Sequence, residues 1–341
     1  MKKMNLLSRD DFREGVFARD NHKCCVCDES AQDAHHILER RLFGDGGYYL
    51  DNGASVCAPC HLLAESTEID CDELRKACGI EKIVLPEHLY RDNDYDKWGN
   101  IILPNKQRVK GELFYDESVQ KIMKPILHLF TDYVKYPRTY HLPFSESKTN
   151  DDRTLADCSH FDGLEVVVTE KMDGENTSIY QNYIHARSLE NDSHPSRAWV
   201  KNFASRIGYE IPDNWRLCGE NLYAKHAIAY DNLDSYFYLF SIWNDRNYCL
   251  SWDETLEYAD ILGLQTVPVL WRGIWDEEKV ISIADSLDLD NQEGFVVRLT
   301  DGFEYGAFRI SMAKYVRKNH LADTIHNWKM QAVVKNNLKE I

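Results

Sequence analysis

Two C-x-x-C pairs, Cys24 with Cys27 and Cys57 with Cys60, constrain this chain more than any other feature. Four thiolates arriving as two knuckles make a closed tetrahedral zinc site. Such a site has no open coordination position, so a structural Zn2+ there holds a small module together and does not catalyse. Cys25, Cys71, Cys78, Cys158, Cys218 and Cys249 fall outside the pairs and read as reduced packing residues. The opening residues, MKKMNLLSRDDF, meet acidic side chains before any long apolar stretch develops, unlike a secretion signal. No run of membrane-spanning length follows, so the expectation is a cytoplasmic protein with no membrane partner, whose paired cysteines bind metal.

A chain of 341 residues suits two modules, and 43% hydrophobic residues supply packed cores. The formal net charge of -16 argues against coating nucleic acid through a general field, so any polynucleotide site is local. Basic residues gather at Arg40 and Arg41, from Lys106 to Lys110, and around Arg309 to Lys318. Ser8 with Asp11 opens a short helix whose Phe12, Val16 and Phe17 share one face. The first module is expected over residues 1–85, ending near Pro86, where the stretch DNDYDKWGN intervenes. Over 86–140, Val119, Ile122, Met123, Ile126 and Phe130 recur at helical spacing, with Pro125 as an interruption, and predict a helical connector. Over 141–341 the runs LEVVVTEK, YFYLFSIW and GFVVRL predict strands, and Ser251 with Glu254 caps a helix that Gly263 closes. The larger module therefore mixes α and β.

Between and after the cysteine knuckles stand His35 and His36 in AHHI, Asn52 in LDNG and His61 in CAPCH. Over residues 9–65 this joint spacing resembles the HNH, or ββα-metal, nuclease family. The resemblance implies that His36 is a general base activating water, that His35 and His61 hold one divalent cation on the scissile phosphate, and that Asn52 orders the loop. The chemistry is consistent, because a neutral imidazole accepts water's proton while a metal stabilises charge developing on phosphate. Two uses remain open: the module binds nucleic acid and cleaves it, or it keeps the zinc fold only to grip.

At the end of LEVVVTEK comes Lys171-Met172-Asp173-Gly174, a K-x-D-G string. Downstream follow HARS with Arg187, CGEN with Glu220, YLFSIW with Phe240, EGFVVR with Glu293 and MAKY with Lys314. Over residues 140–320 this ordered set resembles the covalent nucleotidyltransferases, the polynucleotide ligases and capping enzymes. Thr169 to Asn176 and Gly219 to Asn221 are most similar to the RNA ligase 2-like branch of phages and bacteria. The resemblance implies that Lys171 accepts AMP from ATP, Glu220 binds the ribose, Phe240 stacks on adenine, Glu293 positions Mg2+ or Mn2+, and Lys314 contacts the α-phosphate. Glu170, Asn176 and Arg187 are secondary candidates in the adenosine pocket or at the substrate end. A lysine amine attacks only when unprotonated, so Lys171 is expected to have its pKa lowered by desolvation or nearby positive charge, to which bound metal and Lys314 could contribute. The family's last motif often carries a second lysine where Met312 stands here, and Arg309 or Arg317 is the candidate substitute. Too little chain follows Lys314 for the C-terminal OB domain of DNA ligases and capping enzymes.

The expected fold class is α+β: a small zinc-bound ββα HNH module, a helical connector, and a mixed nucleotidyltransferase domain, ATP-grasp-like, with antiparallel sheets. The expected activity is ATP-dependent joining of 3′-hydroxyl and 5′-phosphate RNA ends, in a nicked duplex or an RNA/DNA hybrid, with endonuclease activity as an addition. Alternatives are a DNA ligase, an HNH nuclease with a nucleotide-sensing domain, and a non-enzymatic zinc module. The sequence names no protein partner.

Overall fold

The Ser8 hydroxyl accepts the Asp11 backbone N–H and so starts helix α1 (Arg9–Arg19), which buries Phe12 and Val16. This helix belongs to the first of two compact units, Met1–Val134 and Lys135–Ile341, in a computed structural model of the chain. The structure describes residues 5–86, 88–89, 91, 93–148, 152–187, 189, 194–318 and 333–340. Among them no helix is long and apolar enough to cross a membrane.

In the first unit, strand β1 (Asp33–His36) pairs antiparallel with β2 (Gly53–Val56), placing His35 opposite Ala54 and His36 opposite Gly53. A side chain at Gly53 would strike Val16 and Phe12, at 2.4 and 2.8 Å from its first carbon, so glycine lets α1 lie against the strand pair. Helix α2 (Ala58–Glu65) follows β2 at once, with Cys57 at its N-cap, and helix α3 (Cys71–Ala77) opens on an Asp70–Glu73 capping box. Ile37, Leu38, Val56, Ala64 and Leu74 share the core.

Residues beyond 86 depart from the helical connector read from sequence. Strands β3 (Asp94–Tyr95), β4 (Ile101–Ile102) and β5 (Arg108–Val109) form an antiparallel sheet. Tyr95 joins the core of the first 85 residues, and Ile101 and Leu113 pack on it. Two-residue strands are too short to show alternation, and the Asp- and Gly-rich stretch is a turn inside a hairpin: buried Asp96 accepts the Trp98 and Asn100 backbone N–H groups. Helix α4 (Glu117–Ile122) does form, and gives way to a 3-10 turn over Lys124–Leu129, where proline at 125 stands in the first turn.

The second unit runs β6 (Tyr140–His141), β7 (Glu165–Lys171), β8 (Glu175–Ile179), β9 (Ile184–Ala186), α5 (Ala198–Ile207), β10 (Arg216–Asn221), β11 (Phe237–Trp243) and β12 (Tyr248–Cys249). It continues with α6 (Trp252–Ile261), β13 (Gln265–Thr266), β14 (Val269–Ile274), α7 (Glu277–Asp285), β15 (Gly294–Leu299), β16 (Phe303–Glu304), α8 (Phe308–Ser311) and β17 (Met312–Val316). Five strands make one sheet in the order β14-β7-β15-β17-β6, and seven make another, β16-β12-β11-β10-β8-β9 with β13 on β11. Pairing is antiparallel except for β17 with β6 and β11 with β13. The unit is thus α+β with largely antiparallel sheets.

Candidate functional site

Strand alternation builds one wall of a cavity in the second unit. Side chains two apart on a strand share a face, and cross-strand register aligns Thr169 with Val296 and Val296 with Lys314, and Arg298 with Met312. Thr169 and Lys171, Val296 and Arg298, and Met312 and Lys314 all line the cavity, whose volume is about 450 Å³. The seven-stranded sheet supplies Asn176, Ala186, Glu220 and Phe240. Asn176 of β8 stands opposite Glu220 of β10, so these two also come side by side. The Met172–Gly174 turn carries the chain from one sheet to the other. A side chain at Gly174 would meet the Asn221 carbonyl oxygen at 2.6 Å, which reserves that position for glycine.

Of the residues singled out in the nucleotidyltransferase strings, Glu170, Lys171, Asn176, Arg187, Glu220, Phe240 and Lys314 line this cavity and Asp173 and Glu293 do not, but Glu293 reaches Lys171 directly: Lys171 Nζ donates to Glu293 Oε2 at 2.6 Å. Glu220 Oε1 accepts the Gly174 backbone N–H at 3.2 Å, and Gln292 Nε2 donates to Glu170 Oε2 at 3.0 Å. Half-buried Phe240 meets Tyr136 edge-on, with ring centroids 5.3 Å apart. Asn176 Oδ1 is buried without a hydrogen-bond partner among the described residues, an acceptor that a ligand N–H or O–H would satisfy. The volume suits a small-molecule site, and cations and an aromatic face suit a nucleotide.

The protonation of Lys171 is the reverse of the sequence expectation. Burial works to lower its pKa, but Glu293, Glu220 and Asp173 outweigh it and the net shift is upward. The same crowd of carboxylates, after burial itself, pushes Glu220 up to about 8. Lys314 is lowered by burial and by Lys171, against the pull of Asp152 at 3.2 Å. Neither Arg309 nor Arg317 is in the described wall; Arg317 donates to the Gln292 and Lys318 carbonyls. The further cations there are Arg187, Arg197 and Arg298. Arg298 stands directly across from Met312, while Arg197 pairs with Glu175 through two nitrogens at 2.7 and 2.5 Å.

Among the described residues, two sets of metal-type donors lie in the first unit. Cys24, Cys27, Cys57 and Cys60 are all free, with their sulfur atoms within 4.8 Å of one another. Cys27 Sγ is 3.5 Å from Cys57 Sγ and 3.7 Å from Cys60 Sγ. A tetrahedron with Zn–S bonds of about 2.3 Å has edges of about 3.8 Å, so the donors fit zinc. The helix N-terminus at Cys57 and the turn after Cys24 aim their backbone N–H groups into this set. Although burial opposes it, backbone N–H groups of Cys57, Val26 and Cys27 bring Cys24 down to about 7.

The second set is His35, His61 and Glu65, with donor atoms again within 4.8 Å. Glu65 Oε1 lies 3.4 Å from His35 Nδ1 and 3.2 Å from His61 Nε2. Glu65 was not read from the sequence, although it follows His61 by one helical turn on α2 and that spacing marks a shared face. His35 is 2% exposed, and apart from the Glu65 carboxylate facing Nδ1 neither ring nitrogen has a hydrogen-bond partner among the described residues, a buried donor set that fits a cation. Burial, then Lys97, lowers His35 to about 3 and His36 to about 4, so both rings are neutral near pH 7. The His36 ring stacks on Phe12 at 4.5 Å and 16°, with Tyr48 edge-on at 5.1 Å, and its Nε2 is likewise unpartnered. Asn52 accepts the Leu38 N–H at 3.0 Å and donates to the Leu38 and Gly47 carbonyls, tying down the loop between β1 and β2. His35, His36, His61 and Glu65 line a cleft of about 590 Å³ that also carries Arg9, Arg13 and Arg40 against Asp10, Asp33 and Glu39.

Residues 164–316 match the family model described as RNA ligase. No curated protein matches the chain. Among solved structures, similarity is found to an archaeal ATP-dependent RNA ligase at 20% identity and TM-score 0.40, over 54% of this chain and 48% of that one. A mutant Naegleria gruberi RNA ligase with ATP and Mn is matched at 20% identity and TM-score 0.37, over 56% of this chain and 62% of that one. A candidate ATP-dependent DNA ligase from Aquifex aeolicus is matched at 20% identity and TM-score 0.38, over 54% and 50%. The chain thus spans between 48% and 62% of these three chains.

Proposed function

We propose that the second unit is an ATP-dependent RNA ligase that carries AMP on Lys171. The observation behind the reading is convergence: Lys171, Glu220, Phe240 and Lys314, from four strands of two sheets, meet in one cavity with Glu293 on the Lys171 amine. Phe240 stacks on adenine, Glu220 accepts from the ribose, and Lys314 contacts the α-phosphate. Glu170, Asn176 and Arg187 line the remainder, where Asn176 Oδ1 awaits a donor.

The ion pair with Glu293 keeps Lys171 charged and unreactive. Glu293 would hold Mg2+ or Mn2+, whose positive charge would weaken the carboxylate's pull on Lys171 and screen the phosphates. Lys171 then gives up its proton to solvent and its Nζ attacks the α-phosphorus; the bond to the β-phosphate oxygen breaks and pyrophosphate leaves. The AMP passes to a 5′-phosphate, and a 3′-hydroxyl displaces it to seal the strand. Arg298 and Arg187 supplement Lys314 where Met312 leaves the wall without a second lysine.

On the same reading the first unit is an HNH-type module that binds nucleic acid. Its cysteines hold a structural Zn2+; His35, His61 and Glu65 hold a divalent cation; His36, neutral and fixed by Phe12 and Asn52's loop, takes the proton of the attacking water. Incubation with α-labelled ATP and with nicked duplexes whose strands at the nick are RNA or DNA tests the proposal. A labelled protein that seals RNA-containing nicks supports it. Absence of any covalent label would sink the ligase reading, and sealing of all-DNA nicks alone would replace it with a DNA ligase.

A further inference from the structure

Lys97 comes from the turn between β3 and β4, outside the segment that resembles an HNH module, yet its ammonium enters that module's cleft. The side chain is 4% exposed. Its three N–H groups face three acceptors: the His36 carbonyl at 3.0 Å, Glu65 Oε1 at 3.1 Å and Glu39 Oε2 at 3.5 Å. Glu65 Oε1 is also the oxygen nearest His35 and His61.

The turn is built to hold the lysine there. Asp96, fully buried, pairs with Arg108 at 2.7 Å, and Arg108 reaches Thr67. The Lys97 carbonyl accepts the Glu39 N–H at 2.8 Å, and the Trp98 indole N–H donates to the Glu65 carbonyl at 2.9 Å. Glu65 is therefore fixed through its backbone by Trp98 and by its place on α2, whether or not Lys97 is charged.

We infer that Lys97 is a fixed cation of this site, which opposes a bound divalent metal and raises the positive charge that the metal-loaded cleft presents to a phosphodiester. The inference rests on the reading of His35, His61 and Glu65 as a divalent-cation site. Counted over the whole lining, with His35 and His61 neutral as metal ligands must be, Arg9, Arg13, Arg40 and Lys97 balance Asp10, Asp33, Glu39 and Glu65, so a divalent metal leaves the cleft two positive charges with Lys97 and one without it. An ammonium on the ligand oxygen itself also repels the metal across a few ångströms of low-dielectric cleft, where like charges interact strongly. Metal occupancy and phosphodiester binding thereby favour one another, and Lys97 is a specificity-determining residue for the anion.

The test is Mn2+ titration of the full-length, zinc-loaded chain by electron paramagnetic resonance, with Glu293→Ala in every arm to remove that ligand from the second unit. Lys97→Met should bind Mn2+ about tenfold more tightly or better, whereas Lys97→Arg, which keeps the charge, should stay near the parent. In saturating Mn2+, Lys97→Met should bind a short single-stranded oligonucleotide about tenfold more weakly. Unchanged or weaker Mn2+ binding in Lys97→Met would overturn the inference. His35→Ala separates the two levels: if it leaves Mn2+ binding intact, the cation site itself is wrong, and if it abolishes binding while Lys97→Met changes nothing, only the role of Lys97 falls. Should Lys97→Met lose its zinc or fold, Lys97→Gln carries the same comparison, being neutral yet able to donate to the His36 carbonyl.

Discussion

The two candidate sites are prepared in opposite ways. In the first unit, burial and a neighbouring ammonium have already taken His35 and His36 to the neutral form a ligand and a base need, with values of about 3 and 4. In the second, Lys171 is held charged by Glu293 and Glu220, the form that cannot attack phosphorus. Desolvation decides the first case because no carboxylate outweighs it at either ring. It loses in the second because three carboxylates surround one amine. A site can thus be poised by its fold alone or left waiting for the cations that arrive with its substrate, and substitutions at the two sites should respond accordingly.

The largest effect is expected at Lys171. Lys171→Ala removes the nucleophile, so no AMP should remain on the protein after incubation with ATP, whatever the metal or pH. An adduct at the parent level, read by intact-protein mass spectrometry, would end the assignment and with it the contrast between a ready and a waiting site. Next comes Cys57→Ser. Structural zinc contributes on the order of 10 kcal/mol to small zinc-dependent folds, so this variant should lose its zinc and the order of the first unit, while the ATP-induced shift in the melting of the second unit persists. Zinc analysis with a melting curve checks it; a variant that folds normally without zinc would mean the sulfur cluster is mere packing.

Legibility in the sequence followed the same division between local and distant causes. The runs that became β7, β11 and β15 were readable because apolar and β-branched residues fill strands largely buried on both faces, and Lys171 and Glu293 were readable because they stand at or beside the ends of two of those strands. Glu65 was within reach, one turn beyond His61 on an amphipathic helix. Lys97 and Arg298 were not, since only tertiary pairing brings Lys97 to Glu65 and sets Arg298 across from Met312. The protonation of Lys171 was misjudged largely for that reason too: beside the adjacent Asp173, Glu220 arrives from β10 and Glu293 from the loop before β15. The sheet of β3 to β5 escaped notice because two-residue strands have no period to detect.

A smaller effect than either loss above is expected from His36→Ala. General-base catalysis is typically worth about 10²–10⁴-fold, so metal-dependent nicking of a polynucleotide should fall by that factor while lysyl-AMP formation proceeds at the parent rate. Equal nicking by parent and variant would show that the neutral, stacked imidazole is only a wall of the cleft. The comparison would then lose its ready site.

The smallest effect tests the waiting site without any substrate, through Glu220. An ordinary glutamate titrates near 4.3, whereas in the folded pocket, first by burial and then by Glu293 and Asp173 against the pull of Lys171, Glu220 titrates at about 8. Because its folded value is raised, the folded protein keeps a proton that the unfolded chain has released across that interval. The stabilising contribution is therefore complete below the unfolded value and is lost as pH climbs through about 8. Denaturation of the ligand-free protein at pH 5, 6.5 and 8 should show the transition that ATP shifts losing on the order of 1–3 kcal/mol over this range from Glu220 alone. Glu220→Gln, which never ionises, should flatten that slope, and saturating Mn2+ with ATP should flatten it in the parent, because added cations favour the ionised carboxylate. Parallel slopes in parent and variant would show that the pocket does not hold Glu220 protonated. In that event Lys171 would face three full negative charges rather than two, and an even greater supply of positive charge would be needed to free its amine.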